Sequence, residues 1–116
     1  MVWNKNTGEP YYPMIVWGSR QSVEQTDRWN ADKDFVSRVR ARTGMTINPS
    51  FSASKVVWLL EHVAGFREEV AKGNVLFGNP DTWIIWNLSR GEYQVLGPCK
   101  RERRAENRLK IPCALP

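Results

Sequence analysis

The sequence predicts an α/β segment that is mostly helical with a few short strands, and three observations predict it. Val56, Leu59, Leu60 and Val63 recur at helical spacing behind Ser52. Gly44, Gly65 and Gly73 each close a stretch of helical pattern, the position where glycine stops a helix. The strand-like stretches span only three or four residues, at 1–4 and 14–17. Strands so few and so short make no sheet that covers many apolar faces. The pattern therefore reads as part of something larger.

Taken in order, residues 1–4 begin with apolar and aromatic side chains in strand fashion, and Asn6-Thr7-Gly8 signals a turn. Met14-Ile15-Val16-Trp17 reads as a second strand, which predicts a hairpin across a loop rich in Pro and Tyr. Ser19 suits the cap of a helix over 19–30, with Val23 and Trp29 as its sparse apolar contacts. A helix over 33–42 carries Phe35, Val36 and Val39, with Asp32 and Asp34 complementing its start. A connector with Asn48-Pro49 leads to the strongest helix, 52–64, capped by Ser52. A short amphipathic helix covers 66–72, and Val75-Leu76-Phe77 is a brief apolar stretch. Asn79-Pro80-Asp81 then supplies a cap, a first-turn proline and a dipole partner. The helix that follows holds Trp83, Ile84, Ile85, Trp86 and Leu88, apolar nearly all round, and so is expected to be buried. Residues 93–96 read as a further strand.

The composition excludes several classes. With 41% hydrophobic and 25% charged residues, the 116-residue chain is globular in type. No apolar run reaches the roughly 18–20 residues of a membrane span, and no signal peptide is visible, which makes the cytoplasm the expected location. The net charge of +5 suggests nucleic acid until it is located. Residues 97–116 carry +4 of it, leaving +1 for the rest, so the excess reads as a solvated basic tail. Cys99 and Cys113 also lie there, and His62 is the lone histidine, so neither a disulfide framework nor a zinc site is expected.

Several stretches, in order, carry a resemblance. They are Val2-Trp3 with Thr7-Gly8-Glu9-Pro10, Ile15-Val16-Trp17-x-x-Arg20, Arg42-Thr43-Gly44, and Ile47-Asn48-Pro49-x-Phe51-Ser52-x-x-Lys55. Trp58-x-Leu60-x-His62-Val63-x-Gly65 and Leu76-Phe77-Gly78-x-x-Asp81-Thr82-Trp83-x-Ile85-Trp86 complete them. Residues 1–95 thereby resemble an internal piece of the N-terminal domain of the FGGY carbohydrate kinases, those acting on glycerol above all. The resemblance implies an actin-like, RNase H-like ATPase fold in which ATP and substrate meet between two domains. It also implies transfer of the ATP γ-phosphoryl group, with Mg²⁺, to a hydroxyl of glycerol or a related polyol. Family members are often homo-oligomers. The family's phosphate-binding Asp-Gly-Thr-Thr hairpin, its Gln-Arg-Glu substrate segment and its catalytic Asp segment have no counterpart in this sequence. The chain by itself is therefore expected to bind no ATP or Mg²⁺, to contain no catalytic residue, and to fold poorly or aggregate. The alternative is a non-catalytic interaction module, or a subunit completed by another chain.

The resemblance also implies three substrate-side residues. Trp17 matches the Trp that packs on the polyol carbon chain, although a tryptophan read alone is more often core. Arg20 matches an Arg near the pocket, where it would order the loop around Trp17. Ser50 stands where the family has Tyr, a departure that removes a ring and leaves room for a longer polyol. Lys55 matches a family Lys; a solvated face is its default, with a phosphate or interdomain contact as the other reading. Trp58, Trp83 and Trp86 read as packing, and His62 as structural because nothing points to a substrate proton within its reach.

Beyond Val95 the resemblance stops. Lys100-Arg101-Glu102 occupies the place of the family's Asn-Ala-Ser. Codons AAA-CGC-GAG-C read one base later give that triplet, which suggests a one-base frameshift between Val95 and Lys100. The family's next residue, usually Arg, is not recovered by that reading.

Overall fold

The computed structural model describes residues 1–94. The basic tail, its two cysteines, the 95–96 end of the last expected strand and the proposed frameshift lie outside the described residues. In chain order the elements are β1 (Val2–Asn4), α1 (Val23–Ala31), α2 (Lys33–Thr43), α3 (Ser52–His62), α4 (Phe66–Ala71), β2 (Val75–Phe77) and α5 (Pro80–Leu88). Five helices against two three-residue strands match the mostly helical expectation. The chain divides into two compact units, one of residues 1–14 with the described residues from 64 onward, the other of 15–63.

In the first unit β1 pairs antiparallel with β2, in the register Val2 to Phe77, Trp3 to Leu76 and Asn4 to Val75. This corrects the expected hairpin, because residues 14–17 are not a strand. The turn itself forms as read. Asn4 Oδ1 accepts from the Asn6 and Thr7 amides at 2.8 and 3.3 Å, and Gly8 takes φ +77°. The chain then runs back beside β1 over three residues: the Glu9 carbonyl accepts from the Asn4 amide at 2.9 Å, Pro10 bridges Trp3, and the Tyr11 amide donates to the Val2 carbonyl at 3.2 Å. Pro10 and Pro13 have no amide hydrogen, so no ladder continues on that side. The other edge of β1 goes to the brief apolar stretch at 75–77.

Val2, Trp3, Phe66 and Val75 are buried in this unit. Trp3 meets Trp86 edge-on at 6.0 Å, and Tyr11 meets Phe66 at 5.4 Å. Gly8 lets the turn approach the Trp86 ring, since a Cβ there would stand 3.0 Å from it. Helix α5 starts where predicted, with Pro80 in the first turn and Asp81 beside it; Asn79 holds the cap position, but its side chain makes no capping hydrogen bond. Its burial is a correction. Thr82 is buried, Trp83 and Trp86 are partly covered, but Ile84 is 51% and Leu88 81% exposed. The elements of this unit are too few to surround a helix that is apolar on every side.

The second unit consists of α1, α2 and α3. Helix α1 begins at Val23, later than the expected 19–30. Ser19 does not cap it: its hydroxyl lies 3.0 Å from Gln21 Oε1 and accepts from the Gln21 amide at 3.3 Å. Asp32 ends α1 and caps α2, accepting from the Phe35 amide at 2.9 Å. Gly44 closes α2 in the left-handed region, φ +69°. Phe51, not Ser52, is the cap residue of α3, which ends at His62. Leu59 is its buried apolar residue, with Val56, Leu60 and Val63 half-buried beside it.

Candidate substrate wall

All three residues singled out for substrate lie in the second unit. Trp17 sits in a tight turn closed by the Ser19 amide donating to the Val16 carbonyl at 3.0 Å. It is 80% exposed, so it is not a core residue. Arg20 is exposed as well, and its carbonyl accepts from the Val23 amide at 3.1 Å at the threshold of α1. Ser50 is exposed in the turn before α3. Its amide donates to Asn48 Oδ1 at 2.9 Å, and the Phe51 amide donates to the Asn48 carbonyl at 3.1 Å.

Buried hydroxyls bring the two segments together. Ser22, two residues after Arg20, lies 2.9 Å from Ser54, four residues after Ser50, oxygen to oxygen. Both serines are buried. This explains why the Ser22 side chain does not cap α1, although Ser22 holds the cap position. The Ser54 hydroxyl also reaches the Phe51 carbonyl at 3.3 Å. Further along, Gln25 Nε2 donates to Glu61 at 2.6 Å and Arg28 pairs with Glu61 at 2.8 Å, joining α1 to α3. Burial pushes the Glu61 carboxyl up, but the bonds from Gln25 and Arg28 and the Arg28 charge outweigh it and hold the group below its ordinary value.

Lys55 is the residue that sequence reasoning misplaced. The solvated face expected for it is overturned: only 7% of it is exposed, and its ammonium donates to the Ser50 carbonyl at 2.9 Å. Burial depresses its pKa. Ser22 and Ser54 were missed altogether. Their neighbours in sequence carry no signal that would separate them from ordinary turn or helix serines. His62 is exposed, stacks on Trp58 at 4.6 Å and lies 2.9 Å from the Trp58 carbonyl, which fits its structural reading.

Against known proteins, residues 1–95 match the FGGY family of carbohydrate kinases, N-terminal domain. The chain belongs to that family. Among relatives, the glycerol kinase of Francisella philomiragia is 46% identical over 92 residues, covering 79% of this chain and 18% of its own. That of Thermoanaerobacter sp. is 45% identical over 95 residues, covering 82% of this chain and 19% of its own. The crystal structure of Plasmodium falciparum glycerol kinase with ADP superposes with a TM-score of 0.75 at 30% identity, over 79% of this chain and 18% of that one. This FGGY chain thus spans about a fifth of the length of the relatives it matches. Among its described residues no helix is long and apolar enough to cross a membrane.

Proposed function

We propose that this chain forms part of the substrate side of an ATP-dependent FGGY kinase that phosphorylates a hydroxyl of glycerol or a related polyol, in an actin-like fold of the cytoplasm. One observation carries the reading: the solvent-facing Trp17 indole and the Ser50 turn belong to segments joined by the buried Ser22–Ser54 contact. That arrangement, in a chain 43–46% identical to proteins named glycerol kinase, suits a wall for a small polar ligand with a carbon backbone. The indole offers an apolar face to C–H groups. The Arg20 guanidinium and Ser50 hydroxyl offer hydrogen bonds to hydroxyls. With serine where the family places tyrosine, the wall favours a polyol longer than glycerol.

The chemistry assigned to these residues is positioning, which supplies much of the catalysis in phosphoryl transfer. ATP and Mg²⁺ serve the family, but no group of three or more His, Cys, Asp or Glu that could hold a metal occurs among the described residues. The test is a titration of the isotope-labelled chain with glycerol, erythritol and xylitol, followed by nuclear magnetic resonance, beside a coupled assay for ATP consumption. The expected result is saturable shifts at the Trp17 indole and at the Arg20 and Ser50 amides, strongest for a longer polyol, with no turnover. Shifts absent from all three sites would remove the wall; turnover by the chain alone would refute a purely positioning role.

A further inference from the structure

We propose that Lys55 is a positioning residue of this wall: its buried ammonium, by gripping the Ser50 main-chain carbonyl, fixes the turn that presents residue 50 to the polyol. The inference rests on the reading that Ser50 faces substrate. A lysine is almost never this deeply buried without a counter-charge. Among the described residues the ion pairs are Arg28 with Glu61 and Lys72 with Glu69, and neither includes Lys55. An apolar side chain of the same length would avoid the desolvation cost, so the donor itself is what the site retains.

The geometry says what it is retained for. Side chains on a helix lean toward its N-terminus. From the first turn of α3 the Lys55 stem therefore reaches back past the helix start to the Ser50 carbonyl, 2.9 Å away. The other groups of the turn are already held: the Ser50 and Phe51 amides by Asn48, and the Phe51 carbonyl by Ser54. Lys55 supplies the remaining tie. Because it grips the main chain, it leaves the residue-50 side chain to face outward, whatever that side chain is.

The experiment compares the labelled chain with Lys55→Met and Lys55→Arg by amide hydrogen exchange and by polyol titration. For Lys55→Met the expected results are exchange about tenfold faster at the Ser50 and Phe51 amides and polyol binding about tenfold weaker, the worth of one hydrogen bond from a charged donor. The Val63 amide, bonded to the Leu59 carbonyl at the far end of α3, should keep its protection, and Lys55→Arg should restore most of both effects. Unchanged exchange at Ser50 in Lys55→Met overturns the proposal. So does an equal loss at Val63 that Lys55→Arg fails to rescue, which would make Lys55 merely a part of the fold. If the unmodified chain binds no polyol, the wall reading fails while the exchange data still decide the role of Lys55.

Discussion

Replacing Trp17 by alanine separates a ligand-facing tryptophan from a structural one, because the two predict opposite balances of stability and binding. Trp17 is 80% exposed, so of the roughly 250 Å² that a tryptophan can bury, about 50 Å² is covered by the protein. At about 25 cal/mol per Å² that contact contributes about 1.2 kcal/mol, an upper bound because the unfolded chain already hides some of the area. Trp17→Ala should therefore cost less than about 1 kcal/mol of stability, within reach of ordinary surface substitutions. Binding should respond far more. A polyol whose carbon chain covers about 50–100 Å² of the indole gains about 1.2–2.5 kcal/mol, a factor of about 10–70 in Kd. The assay pairs a polyol titration with amide exchange across α1 and α3. A loss of affinity under twofold, or a destabilisation above about 2 kcal/mol, would refute the reasoning.

Two other perturbations probe the scaffold. Gly78 lies between β2 and α5, with its amide donating to the Met1 carbonyl at 3.1 Å and its own carbonyl accepting from the Met1 ammonium at 2.7 Å. A Cβ there would stand 2.5 Å from the buried Thr82 methyl, so Gly78→Ala should cost about 1–3 kcal/mol, read as faster exchange of the β1 and β2 amides. The Glu61 carboxyl is held below its ordinary value of 4.5 in the fold, so its contribution is present above that pH and is lost as pH falls through the folded value. The protection of the α1 amides, relative to their intrinsic exchange rate at each pH, should fall on acidification through that range, and Glu61→Gln should flatten the dependence.

Local chemistry was the legible part of the fold. Asp32 caps α2 through the Phe35 amide, Gly44 stops it in the left-handed region, and Pro80 stands in the first turn of α5, each a feature of groups only a few residues apart. The strand pairing was not legible. The prolines at 10 and 13 already argued against the nearer partner, but the pairing of Val2 with Phe77 joins segments more than seventy residues apart, and no local pattern marks it. In the candidate wall, Trp17, Arg20, Ser50 and Lys55 were visible through the family pattern, but the burial of Lys55 was not, and Ser22 and Ser54 look unremarkable in sequence.

What the sequence determined by itself was the mostly helical class, the punctuation of its helices and the FGGY membership, all carried by short-range patterns and ordered motifs. Only the tertiary structure decided that Trp17 faces solvent, that α5 keeps an uncovered apolar side, and that a lysine expected in water is buried against the Ser50 carbonyl. Burial depends on which distant segments arrive beside a residue, and nothing in its immediate neighbours encodes that.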